Sequence, residues 1–235
     1  MSELFKNIPM IIPILPQQIW ESLYSTILST FFAYIIGLPL GVLLATGGKD
    51  GILKFPSWLK NLLDAITNLL RSVPFLLLMM VTLPISKLLF GTQIGTIASI
   101  PPLVIAAFPF IARLVETSLR EVDKGVIEAA QSMGCSPLQI ITKVMIPESV
   151  PTLISGATTA FITILGYGAM AGIIGGGGLG NVGITYGYYR YKYDIMWFII
   201  ILLVLLVQIF QTIGARLSVK SDKRISGNDK RRTKK

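Results

Sequence analysis

The sequence has no histidine and one cysteine, Cys135. A disulfide framework within one chain and Cys/His zinc sites are thereby excluded. Charge is scarce as well: Asp, Glu, Lys and Arg make up 14% of 235 residues, against about 25% in a soluble chain. No Gly-x-x-x-x-Gly-Lys-Ser/Thr run occurs, so the chain has no phosphate loop with which to bind ATP. The acids Glu21, Asp64, Glu116 and Asp194 fall at the edges of apolar segments rather than inside them. Ion-coupled transporters place acids within their spans, so this placement argues against such a carrier. With no His, no paired intramembrane acid and no Cys pair, the groups for nucleophilic or metal-assisted catalysis are missing. No enzymatic activity, cofactor or metal is expected. Cys135 reads as a small filler residue, with a reactive thiol as the minor alternative. A cleavable signal is not expected either: Lys6 stands near the acids Glu3 and Glu21, and Pro9, Pro13 and Pro16 interrupt the first apolar run.

What the chain does have is apolar length. Hydrophobic residues make up 52% of it, and its mean hydropathy is +0.69. They fall in blocks of transmembrane size at about 23–45, 73–90, 97–115, 153–174 and 195–213. This predicts an all-α integral membrane bundle of five spans over 18–217, with an N-terminal segment 1–17 and a basic tail 218–235. Trp20 and Tyr24 suit the interface at the start of span one, Gly47-Gly48 closes it, and Pro39 is a candidate kink. Trp58 to Leu70 has apolar residues at helical spacing and a polar face of Lys60, Asn61, Asp64 and Asn68. This amphipathic piece is either separate from span two or continuous with it through a bend near Pro74. Span four is rich in glycine, alanine and serine, which suits either close helix packing or a pore lining. Gly175 to Gly180 ends it. Tyr186, Tyr188, Tyr189, Tyr191 and Tyr193 follow in a predicted loop of interfacial character.

The net charge of +9 is concentrated near the C-terminus, in Arg216, Lys220, Lys223, Arg224, Lys230, Arg231, Arg232, Lys234 and Lys235. Such a run can bind nucleic acid. Following directly on an apolar span, it reads better as a cytoplasmic tail resting on anionic lipid; from Ser221 its composition is that of a disordered segment. In a five-span chain the tail shares a side with Lys49, Lys54 and Lys60 of the first loop and with Arg120, Lys124 and Lys143. The other side has Lys6, Lys87, Arg190 and Lys192. The bias predicts an external N-terminus and a cytoplasmic C-terminus.

Residues 118–148 form a polar, helix-competent island between spans three and four. Asp123 is placed to cap a helix over Lys124 to Met133, and Gly134 suits the left-handed residue that ends it. Ser136, with Pro137 next and Gln139 three residues on, has the pattern of a capping box opening a second helix. Pro147 is expected to end that helix and Pro151 to open span four. Two short helices tied at both ends to spans suit docking of another protein, with an ordinary connecting loop as the plainer alternative. A DNA-binding helix-turn-helix is disfavoured, because the second helix carries only Lys143 as a cation.

Glu128-Ala129-Ala130, then Gly134, then Val144-Met145-Ile146-Pro147 resembles the Glu-Ala-Ala loop of ATP-binding cassette (ABC) importer permeases; Ile146 and Val144 are mild departures from the family pattern. Leu70-Arg71-Ser72-Val73-Pro74-Phe75, Gly166 to Gly172, the glycine run to Gly180 and Tyr186-Gly187-Tyr188 resemble the methionine-uptake permeases, over roughly Gln18 to Leu217. Gly168, where related sequences often have Ser, is a further departure. The resemblance implies a type I importer fold in the bacterial cytoplasmic membrane and a homodimer of five-span subunits. It also implies cytoplasmic ABC ATPase subunits as partners and an extracytoplasmic substrate-binding protein. Glu128, Ala129, Ala130, Gly134 and Pro147 would then form the ATPase-coupling site. Thr163, Tyr167 and Met170 are candidate translocation-path residues for methionine. Importers of other amino acids or small organic solutes share the loop, and a channel or ion-coupled carrier is the remaining alternative. A reporter fused at the C-terminus should be active only in the cytoplasm; activity on the external face would overturn the orientation.

Overall fold

A computed structural model describes residues 6–49 and 51–222. Glu3, Asp50 and the tail cations from Lys223 to Lys235 lie outside the described residues. Helix α1 runs Leu15–Thr46, α2 Ser57–Ser72, α3 Phe75–Phe90 and α4 Thr96–Arg120. Helix α5 is Lys124–Ser132, α6 Pro137–Ile140, α7 Ile146–Glu148, α8 Val150–Ala171, α9 Gly178–Val182 and α10 Tyr193–Ser221. There is no β-strand among the described residues. Helices α1, α4, α8 (with its short extension to Ile174) and α10 are each long and apolar enough to cross a membrane, and α2 with α3 makes a fifth, broken segment bent by 107°.

The five apolar blocks are thus real, but several boundaries move. Helix α1 begins at Leu15, well before the expected start, because Pro16 falls in the first turn, where a missing N–H costs nothing. Pro39 lies inside α1, which continues to Thr46. The amphipathic piece and span two are two helices parted at Val73-Pro74. The sixteen residues of α3 reach only about 24 Å at 1.5 Å per residue, short of a bilayer core of about 30 Å. The tyrosine segment is a loop only in part: α9 passes into a wide π-helical turn over Gly183–Tyr188, and Tyr189 and Tyr191 lie in the turn before α10. Tyr188, Tyr189, Tyr191 and Tyr193 remain exposed there, and Arg190 lies 4.6 Å over the Tyr186 ring.

Helix α4 is the spine, packing against α1, α2, α3 and α8. Its contact with α1 depends on Gly37 and Gly41, a Gly-x-x-x-Gly pair. A Cβ at Gly37 would stand 2.8 Å from Phe108 O, and one at Gly41 2.5 Å from Ala112 O. Lipid gives helices no hydrophobic reason to associate, so close backbone approach and its dispersion contacts hold such pairs together. Gly214 of α10 meets Thr158 of α8 in the same way. Gly166 and Gly168 of α8 behave differently: a Cβ there would meet nothing within 4 Å.

Polar interactions lace the two ends of the bundle. At one end Glu21 Oε2 accepts hydrogen bonds from Thr96 Oγ1 at 2.8 Å and Gly178 N at 3.2 Å, and Ser22 Oγ accepts one from Leu179 N at 2.8 Å. Gly177 and Gly178, at φ +72 and +73, allow this approach to α1. At the other end Arg113 pairs with Glu116 and with Asp64 at 2.8 Å, and donates to Asn68 Oδ1 at 2.9 Å; Arg120 pairs with Glu116 at 2.7 Å. Arg113 and Glu116 are held inside the bundle near the end of α4, while the Arg120 side chain is more than half exposed. The polar face of α2 is therefore turned onto α4, while Trp58, Leu62, Ile66 and Leu69 face outward. Glu116 is only 5% exposed, and removing one partner of a buried ion pair costs about 3–5 kcal/mol.

Gly41→Leu should lower the thermal midpoint of the purified chain in detergent, since overpacking costs about 1–3 kcal/mol. Gly166→Ala should leave it unchanged. Equal midpoints for the two variants would refute the packing account.

Candidate functional site: a two-helix docking element

The island between α4 and α8 is built by local chemistry. Asp123 Oδ1 accepts from Gly125 N at 2.7 Å, capping α5. Gly134 has φ +78; its N–H donates to Gln131 O at 2.9 Å and that of Cys135 to Ala130 O at 3.1 Å. These paired bonds are a Schellman closure, and an L side chain at Gly134 would be strained in that left-handed conformation. Ser136 and Gln139 form the reciprocal capping box: Ser136 N donates to Gln139 Oε1 at 2.8 Å, and Gln139 N to Ser136 Oγ at 3.4 Å.

Pro147 does not end the second helix. Residues Ile141–Met145 form a wide π turn, and the helix resumes through Ile146–Glu148. Proline cannot donate to the preceding turn and its ring crowds the carbonyls there, so widening that turn lets the helix pass. The break comes at Ser149, with Pro151 in the first turn of α8 as expected. Pro147 is exposed and borders a cavity of ≈110 Å³ with Glu121, Ser149, Thr152 and Ser221.

The element has two faces. Ala130, Ile140, Ile141 and Met145 are buried in one apolar cluster with Ile111, Val115 and Leu119 of α4, Ala160 and Ile164 of α8, and Ala33 of α1. Glu128, Ala129 and Gly134 are exposed. Ala130, expected beside them, is 2% exposed and turned toward the chain's own core. A helix advances 3.6 residues per turn, so Ile127 and Ala130 share the inner side while Val126, Ala129 and Met133 share the outer. Val126 (44% exposed), Met133 (77%) and Leu138 (69%) add large apolar groups to the open face. The sequence reading missed these three. Glu128 has no ion-pair partner among the described residues.

The three candidate path residues lie along α8. The Thr163 hydroxyl donates to Thr159 O at 2.8 Å, and Met170 is exposed. Tyr167 stacks on Phe75 of α3, with ring centroids 4.2 Å apart and planes within 7°. Tyr167 borders a cavity of ≈170 Å³ lined also by Leu70, Arg71, Phe75, Leu78 and Phe110. Ser155, Thr159, Gly166 and Met170, at helical spacing, form an open stripe on the same helix.

The model of the family described as binding-protein-dependent transport system inner membrane component matches residues 37–226. A probable D-methionine transport system permease protein of Vibrio cholerae is 48% identical over 206 residues, covering 87% of this chain and 91% of that protein. The methionine import system permease protein of Bacillus subtilis is 48% identical over 164 residues, covering 70% of this chain and 74% of that one. Among solved structures, an inward-facing MetNI methionine ABC transporter superposes with TM-score 0.88 at 42% identity, over 92% of this chain and 99% of that one. A more distant amino acid ABC transporter, 18% identical with TM-score 0.76, shares the fold. The chain belongs to the binding-protein-dependent transport system inner membrane component family, the membrane-spanning permeases of ABC importers.

Proposed function

We propose that this chain is the permease of a methionine importer and works as a homodimer driven by two cytoplasmic ABC ATPase subunits. An extracytoplasmic binding protein delivers the cargo. The observation that carries this reading is the two-sided docking element: an exposed face of Val126, Glu128, Ala129, Met133 and Leu138 on a base buried with α1, α4 and α8. Close-packed interiors transmit displacement rather than absorb it. A pull on α5 is therefore a pull on the spans. ATP binding draws the ATPase subunits together, the docked elements follow, and the spans rock between inward-open and outward-open states. The N-terminus is external, and the docking element and tail are cytoplasmic, as the distribution of Lys and Arg favours.

Methionine as cargo rests on the relatives, which are named for methionine transport over most of their length. The open stripe of α8, where a Cβ at Gly166 would meet nothing within 4 Å, supports a path or second-subunit face there. Thr163, Tyr167 and Met170 lie on or beside it.

Glu128→Lys and Met133→Asp change exposed side chains, so both variants should fold and insert. Each should weaken co-purification with the ATPase by at least about tenfold, corresponding to about 1.4 kcal/mol at an interface anchor. Uptake of labelled methionine into reconstituted vesicles should fall with it. Wild-type assembly and uptake in both variants would sink the docking role. ATP-independent uptake by the purified chain alone would favour a channel or carrier instead.

A further inference from the structure

The broken segment α2–α3 holds a feature that docking does not use. The chain parts at Val73-Pro74, and under the bend lies the cavity of ≈170 Å³ lined by Arg71, Phe75, Leu78, Phe110 and Tyr167. One water needs about 10–15 Å³ of such space, so a small solute fits. The break parts α2 from α3 within one broken apolar segment, and irregular backbone in a membrane persists only against protein or a cavity.

The lining is chemically mixed. Arg71 is exposed and has no ion-pair partner among the described residues. Its planar fork matches a carboxylate. Phe75 and Tyr167, also in the lining, stack face to face, so their outer faces and ring edges remain free for other contacts. Thioether sulfur favours aromatic ring edges. Leu78 and Phe110 complete the apolar side.

We propose that this cavity is a transient subsite for a zwitterionic α-amino acid with a flexible apolar tail. Arg71 holds the carboxylate, the carbonyl groups that the last turn of α2 leaves open accept from the ammonium, and the Phe75–Tyr167 pair with Phe110 takes the tail. This rests on the importer reading above and adds the place where cargo pauses between the two sides. A single charged contact and a small apolar wall give weak binding, which transit requires.

The test uses the reconstituted complex with ATPase and binding protein. A diazirine analogue of methionine should label peptides containing residues 70–78 and Tyr167. Excess methionine or leucine should suppress the labelling, and 3-(methylthio)propylamine, which lacks the carboxylate, should not. Arg71→Met should lower methionine taken up per ATP hydrolysed by at least tenfold, and Arg71→Lys should recover part of that loss. Tyr167→Leu should lower it by at least fivefold. Labelling elsewhere, or uptake per ATP within twofold of wild type in both Arg71→Met and Tyr167→Leu, overturns the subsite and leaves the importer reading standing. Absence of ATP-dependent uptake in the wild-type complex overturns the importer reading itself.

Discussion

The rest of this structure depends on how closely α1 approaches α4. Two missing side chains, at Gly37 and Gly41, let the backbones meet where any Cβ would strike a carbonyl or Val115. Once α4 is fixed against α1, its other sides are free to organise the chain. Leu103, Ala107 and Ile111 carry the shared core, Arg113 and Glu116 hold α2, and the end at Arg120 sets where the docking element leaves the bundle. A membrane bundle cannot rely on expelling water from between its helices. Geometric fit on the most connected helix therefore does the work that hydrophobic burial does in a soluble core.

Two polar clusters tie the helices at the ends of the bundle. The Glu21, Ser22 and Thr96 cluster ties α1, α4 and the glycine turn before α9 at one end; the Arg113, Glu116 and Asp64 cluster ties α2 to α4 at the other. Between these clusters α8 keeps an open stripe at Ser155, Thr159, Gly166 and Met170. The buried ion pairs of the Arg113 cluster would be costly to separate. The apolar cluster from Ala33 to Met145 joins α1, α4 and α8 to the two short helices.

The sequence exposed some of this directly and concealed the rest for physical reasons. Caps and turns at Asp123, Gly134 and Ser136 were readable because each is decided by a few neighbouring residues. The five apolar blocks were readable because the bilayer sets their length. The direction α2 faces was not: its periodicity shows two faces, but only Arg113, far along the chain, turns the polar one inward. Ala130 was misplaced because a family motif names residues without saying which side of a helix each occupies. Pro147 was misread as a stop because the wide turn that absorbs it has no sequence signal. Gly37 and Gly41 carried a legible spacing that the reading of span one passed over.

The broken segment shows why such readings run out where function begins. A straight helix through 57–90 would have satisfied every backbone group and crossed the membrane unaided. Pro74 removes one donor and forces the preceding residue out of the helical region, leaving α3 too short to span alone. A break of that kind persists only where something else satisfies the freed groups. Here the surroundings are a cavity, an exposed arginine and a stacked aromatic pair. The docking element is rigid because its polar groups are met by its own caps. At the bend, no side chain among the described residues caps the end of α2, and the proposed subsite would set cargo against that uncapped end.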